Sequence, residues 1–109
     1  MITLEQNICP KFDKAIHILG KPWVGLLIYL LLDGPKRFHT LEKQSGISAR
    51  VLSVRLKELE KEDIITREVF PEVPIRVCYS LTPKGRALDG VVDAISTWAE
   101  SWVVKESSE

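Results

Sequence analysis

The sequence predicts a mainly α-helical domain with a β-hairpin, a winged helix-turn-helix flanked by N- and C-terminal helices. Three features point to it. A short helix, a glycine-bearing turn and an amphipathic helix follow one another between His39 and Glu62. Two alternating segments, Ile65–Phe70 and Arg76–Leu81, come directly after, as a wing would. An apolar stripe at helical spacing then closes the chain.

The elements follow in order. Cys9-Pro10 opens a first helix reaching about Leu19, with proline suited to the first helical position. Pro22 is expected to open a second, through the apolar block Trp23–Leu32, which ends at Asp33-Gly34-Pro35. That block is apolar nearly all round, the mark of a buried central helix. A third, short helix covers His39–Gln44, and Ser45-Gly46-Ile47-Ser48 makes the turn. Ser48 is a natural N-cap for a fourth helix to about Glu62. The segment Pro71-Glu72-Val73-Pro74-Ile75 is a stiff hairpin connection. Thr82 and Pro83 are expected to cap and open one last helix running to about Val104. Its residues Leu88, Val91, Val92, Ile95, Trp98 and Trp102 fall on one stripe. Two tryptophans near its end present much apolar area for a small domain to cover, so Val91, Ile95, Trp98 and Trp102 are dimerisation candidates. Packing of part of the stripe on the chain's own first helix is the other reading.

Composition narrows the function. The chain has 109 residues, with 15 basic and 15 acidic side chains, 45% hydrophobic and 28% charged residues. This is one domain with a modest core, a size at which oligomerisation often adds stability. Neutral charge argues against a uniformly basic, histone-like binder. Two cysteines cannot staple a scaffold, so free thiols in a reducing, cytoplasmic setting are expected. No charged stretch followed by an apolar run opens the chain, and Trp23–Leu32 is half the roughly 20 residues a membrane span needs, so neither signal peptide nor membrane is expected.

The neutral average conceals an asymmetry. Between Lys36 and Lys57 lie six basic residues (Lys36, Arg37, Lys43, Arg50, Arg55, Lys57) and one acid, Glu42. From Asp89 to Glu109 there are five acids and one base, Lys105. A solvated helix face would explain the basic segment, but such a segment also attracts polyanions over about a Debye length. At 100° per residue, Leu52, Leu56 and Leu59 of the fourth helix share a core side. Arg50, Val54, Lys57 and Lys61 lie opposite, with Ser53 at one flank and Arg55 at the other. Arginine, serine and valine are types that read a major groove, through guanine edges, varied edges and the thymine methyl. The acids Glu58, Glu60, Glu62 and Asp63 come only in the last third, the end pointing away from phosphates. Lys36 and Arg37, before the third helix, suit a phosphate oxygen together with Ser48 at the head of the fourth. Arg76 at the wing suits the minor groove or the backbone. Double-stranded DNA is the partner these residues imply.

Catalysis and cofactors find little support. His17 and His39 stand in unrelated contexts, and the carboxylates are scattered. Two cysteines 69 positions apart and two lone histidines lack metal-ligand spacing. No glycine-rich phosphate loop follows a strand, so no cofactor is expected. Cys9, at a helix N-terminus with Lys11 and Lys14 nearby, sits where a thiolate is favoured and is a redox-sensor candidate; an inert packing thiol is the alternative. Cys78 shares a strand face with Arg76 and Ser80, where a regulatory role is less expected.

These residues, in order, resemble the HxlR family of bacterial winged helix-turn-helix transcriptional regulators. The resemblance runs from Cys9-Pro10 to Trp98 and includes Leu19-Gly20-Lys21 with Trp23, Leu32-Asp33-Gly34-Pro35-Lys36-Arg37-Phe38 and Gly46-Ile47-Ser48. It continues through Val51-Leu52-Ser53, Arg55–Glu60, Pro71–Pro74, Tyr79-Ser80-Leu81-Thr82 and Lys84-Gly85. It implies one domain over residues 1–109, acting as a homodimer on a palindromic operator. In such families the Ser48–Glu62 helix enters the major groove, the hairpin is the wing and the terminal helices dimerise. Several members sense oxidants or electrophiles through a cysteine at the position of Cys9. One departure is visible: where the family usually carries Gly-Gly-Lys-Trp, this chain has Gly20-Lys21-Pro22-Trp23, which bears on where the second helix begins. A winged-helix module that binds protein instead of DNA is the rival class, since fold does not fix function. A redox enzyme using Cys9 is more distant, for there is no resolving CxxC. The operator, the sign of regulation and any small-molecule effector are not legible.

Overall fold

The computed structural model describes residues 9–104. Helix α1 spans Pro10–Leu19, preceded by an extended Cys9. It buries no residue completely. Ile18 and Leu19 rest against the core, while Phe12 and Ile16 are 64% and 52% exposed.

The second helix, α2, spans Val24–Leu31 and so begins at Val24 rather than at Pro22. The cause is a tight turn: the Val24 N–H donates to the Lys21 carbonyl at 3.2 Å. Pro22 occupies the second position of this turn, and Trp23 takes the third with φ 75° and ψ −9°. That is the type II position usually given to glycine or asparagine, and a left-handed tryptophan interrupts the run of helical dihedrals. Beyond it, Val24, Leu27, Ile28 and Leu31 are at most 1% exposed.

The chain then forms a two-residue strand, β1 (Lys36–Arg37), that the sequence reading missed. Two residues carry no visible alternation, and the partner strand lies far along the chain. Helix α3 covers Phe38–Ser45 and ends on Gly46 at φ 75°, where glycine removes the Cβ penalty of the left-handed region. Helix α4 spans Ala49–Lys61, capped by Ser48, whose Oγ accepts from the Val51 N–H at 3.3 Å. Its far end is a Schellman closure: Asp63 has φ 64°, the Ile64 N–H donates to the Leu59 carbonyl and the Asp63 N–H to that of Glu60.

Strands β2 (Ile65–Phe70) and β3 (Arg76–Leu81) keep the expected bounds. The sheet is antiparallel with order β1-β3-β2, Lys36 opposite Tyr79 and Arg37 opposite Cys78, while Arg67 faces Tyr79 from the other side. Directly paired residues project to one face of a sheet, so Arg37, Cys78 and Glu68 share one face and Lys36, Tyr79 and Arg67 the other.

The single last helix expected from Thr82 to Val104 is two helices. A short α5 (Pro83–Arg86) and α6 (Asp89–Trp102) meet at Ala87-Leu88. Gly85 and Gly90 lower helix propensity on either side of the junction, and Asp89 supplies the acidic first turn of a new helix. Helix α5 is fastened by Thr82. Its hydroxyl donates to the Asp63 carbonyl at 2.7 Å and accepts from the Gly85 N–H at 3.0 Å.

The core gathers Leu41 of α3, Leu52, Leu56 and Leu59 of α4, Ile65 and Leu81 of the sheet, and the buried side of α2. Leu88 at the α5–α6 junction and Val92 of α6 rest on it. Among the described residues, no single helix is long and apolar enough to cross a membrane. Helices α1 and α2 together have the length but bend by 83° at their break, and α2 is core.

The Thr82 hydroxyl ties the end of α4 to the start of α5, so its loss is expected to cost about 1–3 kcal/mol. Urea denaturation of Thr82→Val at fixed protein concentration checks this; a midpoint equal to that of the parent chain would refute it.

Candidate nucleic-acid interface

Helix α4 sets its orientation by burying Leu52, Leu56 and Leu59, each at most 1% exposed. The opposite side is thereby fixed as solvent-facing. Arg50, Val54 and Lys57 are exposed there, and Ser53 is half-buried at the flank. Among the described residues, no carboxylate comes within 4.0 Å of Arg50 or Lys57. These groups are free cations beside a small apolar surface. Ser48 is exposed at the head of the helix; its oxygen is used in the cap, but its O–H remains available to donate.

Arg55 stands elsewhere. Its side chain is only 19% exposed, its Nε donates to the Pro22 carbonyl at 2.9 Å, and Nη1 donates to Glu58 Oε1 at 3.2 Å. The reason is angular: residue 55 lies about 60° from Leu52 and about 40° from Leu59 around the helix, so its side chain leaves along the core's edge toward the α1–α2 turn. The structure thus removes Arg55 from the outer face.

Two other expected contacts are also engaged within the chain. Lys36 has a side chain 12% exposed and pairs with Asp33 at 3.2 Å. Arg76 is held within the wing: Nη2 donates to Glu72 Oε2 at 2.8 Å, and Nη1 donates to the Cys78 sulfur at 3.7 Å. Its guanidinium carbon also lies 3.9 Å from the Phe70 ring centroid, a cation–π stack. The hydrogen bond from Arg76 holds the Glu72 carboxyl below its ordinary range, and Arg37 adds to the effect. The same bond raises the guanidinium further above its already high value. Arg37 is exposed and shares this outer sheet face. The cluster is therefore Arg37, Arg76 and Glu72 over a buried Cys78.

Helix α3 lies before α4, so the exposed Lys43 and the outer face of α4 belong to consecutive elements of the helix-turn-helix. Lys43 was counted in the basic segment but not among the expected contacts. Arg67, exposed on β2, was missed as well; it falls on the side of the alternation that holds the buried Ile65, so the strand pattern gave no signal for it. No group of three or more His, Cys, Asp or Glu side chains suited to a metal ion occurs among the described residues.

A second exposed face, on α6, is apolar. Val91, Ile95, Trp98 and Trp102 of α6 are 41%, 58%, 61% and 73% exposed. The stripe expected on the last helix is real, and its inner edge, Leu88 and Val92, is what the chain covers itself. Cys9 is exposed at the head of α1.

A helix-turn-helix with a free cationic outer face and an adjoining wing has relatives of known kind. The chain matches the HxlR-like helix-turn-helix family over residues 18–107. It is 48% identical over 100 residues to the transcriptional regulator YvaP of Bacillus subtilis, covering 91% of this chain and 93% of that one. It is 47% identical over 100 residues to the transcriptional regulator YodB of the same organism, covering 91% of this chain and 89% of YodB. The fold superposes on reduced YodB with a TM-score of 0.81, covering 92% of this chain and 99% of that one. YodB is also known in diamide-treated and quinone-bound forms. The oxidised redox regulator HypR, 37% identical, gives a TM-score of 0.80 over 91% of this chain and 100% of HypR. The chain belongs to the HxlR family of helix-turn-helix transcriptional regulators.

Proposed function

We propose that this protein is a homodimeric repressor or activator that places α4 in the major groove of an inverted-repeat operator and answers to thiol oxidation through Cys9. Residues 1–109 act as a single domain in this reading. The observation that carries it is the outer face of α4, where Arg50, Val54 and Lys57 are exposed while the chain's other α4 arginine is tied down in cis. A major groove about 12 Å wide admits one helix, and arginine, serine and valine supply the donors and apolar contact that distinguish base pairs. Ser48 and Arg37 donate to flanking phosphates. Arg76 reaches the backbone or minor groove by exchanging Glu72 for a phosphate oxygen, and Lys36 acts by its charge alone. Sequencing of genomic fragments retained by the reduced protein tests the reading: an enriched inverted repeat with half-sites about 10 bp apart, or a multiple, is expected. Retention without a shared motif would refute operator recognition.

The dimer is supported by what the chain leaves uncovered. Its Cα radius of gyration is 16.2 Å, against about 13 Å for a compact domain of this size. The excess reflects terminal helices that project, with Phe12 and Ile16 on α1 and Ile95, Trp98 and Trp102 on α6 all more than half exposed. A second copy covers them. Ile95→Glu with Trp98→Glu is expected to convert a dimer into a folded monomer by sedimentation equilibrium, with operator affinity falling by at least about tenfold. An unchanged dimer would exclude α6 as the interface.

The two cations of α4 have different expected effects. Arg50→Ala should weaken the operator complex by about 1–3 kcal/mol and relax preference at the base pairs it reads. Lys57→Ala should weaken all sequences alike and reduce the salt slope by about one unit. Fluorescence anisotropy with operator and scrambled DNA at several salt concentrations checks both; unchanged affinity in both variants would overturn the assignment.

Cys9 is the exposed thiol and Cys78 the buried one, so a disulfide between accessible thiols joins two chains. Two Cys9 thiols lose two hydrogens, diamide is reduced to the hydrazine, and a Cys9–Cys9 bond between copies would turn the α4 heads relative to each other. Diamide should produce a covalent dimer on a non-reducing gel and lower operator affinity. Cys9→Ser should do neither. Operator binding unaltered by diamide in the parent chain would remove the sensor.

A further inference from the structure

The wing ends in apolar surface that the chain does not cover. Strands β2 and β3 are last paired at Phe70 and Arg76, and Pro71-Glu72-Val73-Pro74-Ile75 form the loop between them. Val73 at its apex is 100% exposed and Ile75 is 69% exposed. Turn positions ordinarily go to glycine, asparagine, aspartate or serine, so two aliphatic side chains here serve neither the turn nor the core. Val69 is 47% exposed and pairs with Val77, which carries the apolar surface back along one face of the hairpin. Arg67, next on that face, is exposed. Among the described residues it has no carboxylate within 4.0 Å.

The loop is braced. The Glu72 N–H donates to the Phe70 carbonyl at 2.7 Å. Arg76 closes over the loop from the other strand: Nη2 and Nε donate to the two carboxylate oxygens of Glu72 at 2.8 and 3.4 Å, and the guanidinium carbon lies 3.9 Å from the Phe70 ring centroid. Pro71 and Pro74 remove further backbone freedom. The prolines and the Phe70 stack do not need Glu72, so the brace outlasts an exchange of Glu72 for a phosphate. A tip ordered before contact loses little freedom on insertion.

Area, width and reach choose what the tip meets. A stable protein interface takes about 800 Å² from each partner, far more than one hairpin tip offers. A minor groove about 6 Å wide admits such a tip, and apolar wedges enter there between base steps. Helix α4 ends at Lys61 and β2 begins at Ile65, so the wing leaves directly from the end of α4. Six strand residues span about 17–20 Å, and half a helical turn of DNA, the step from a major groove to the next minor one, is about 17 Å. We propose that Val73 and Ile75 form an apolar wedge that enters the minor groove beside the α4 site, unstacks one base step in each half-site and bends the duplex there, with Arg67 on a phosphate behind it. This rests on α4 lying in the major groove, as proposed above. Pyrimidine–purine steps deform most readily, so the wedge selects such a step at a position that α4 does not read.

The probe is the genomic fragment most enriched by the reduced parent chain, with 2-aminopurine placed in turn at adenines flanking its repeat. Binding of the parent chain should raise 2-aminopurine fluorescence at one step per half-site, a signal that depends on no variant. Energy transfer between dyes at the fragment's ends should report a bend within about 20–90°. Val73→Ser combined with Ile75→Ser, both at exposed positions, should abolish both signals and weaken binding by at least about tenfold. A mismatch at the responding step, which lowers the cost of unstacking in advance, should tighten binding of the parent chain and leave the variant unchanged. Motif-specific binding without a 2-aminopurine rise, or equal affinity of parent and variant, would overturn the wedge and leave α4 recognition standing; the tip would then be free for a protein partner or for solvent. Recovery of no enriched repeat would instead overturn the α4 reading, and the wedge with it.

Discussion

Helix α2 can bury its apolar residues only if other elements surround it, and the whole arrangement follows from that requirement. Val24, Leu27, Ile28 and Leu31 are all at most 1% exposed, and α1, α3, α6 and the sheet pack around the helix. Removing such side chains from water stabilises each by about 1.5–3 kcal/mol, a large share of a small domain's margin. Once α2 and the leucines of α4 share one core, the rotation of α4 about its axis is no longer free. Leu52, Leu56 and Leu59 cannot leave without opening a cavity. The outward direction of Arg50, Val54 and Lys57 is thus a consequence of core packing.

The same core is too small to cover both terminal helices. Leu88 and Val92 take the available place beside α2, and α6 then runs beyond the body of the domain with its tryptophans exposed. Helix α1 has even less support, and the ion pairs of Lys14 on α1 with Glu62 and of Lys21, just after it, with Glu58 connect this region to the C-terminal half of α4. Arg55 adds a third link, from α4 to the backbone of the α1–α2 turn. These three contacts link the region of α1 to α4, beside the packing of α1 on α2.

Much of this was legible because helical and strand periods were strong. The bounds of β2 and β3, the Ser48 and Thr82 caps, and the core side of α4 all follow from patterns repeated over several residues. What escaped was set by single residues or distant partners. The second helix begins at Val24 because Pro22 and Trp23 fit a type II turn better than a helix start. The break at Ala87-Leu88 arises where Thr82 seats α5 beneath Ile64, a contact invisible in local periodicity. β1 exists only because β3 offers an edge to Lys36 and Arg37. Within the candidate interface, the free face of α4 was readable from angles alone, whereas the fates of Arg55, Lys36 and Arg76 were not. Each is decided by an acceptor that folding brings within reach: the Pro22 carbonyl, Asp33, and Glu72 across the hairpin loop.

Under the proposed function, those pairings would let a chain with 15 basic and 15 acidic residues present a cationic reading face with few other free cations near it. Lys36, Arg55 and Arg76 each lie against a carboxylate of the same chain, which lowers the number of phosphates the protein attracts at long range. Non-specific affinity scales with that number and falls steeply with salt. In the proposed reading, the cations left free on α4 would act at short range, where geometry selects a base edge. The Arg76–Glu72 pair sharpens the distinction further, since a phosphate must displace a hydrogen-bonded carboxylate before the wing arginine can engage. Such an exchange gains little on arbitrary DNA. In the proposed complex it would become favourable once α4 is seated and the phosphate is held in place, so internal neutralisation of the wing would favour a correctly docked site over a passing one.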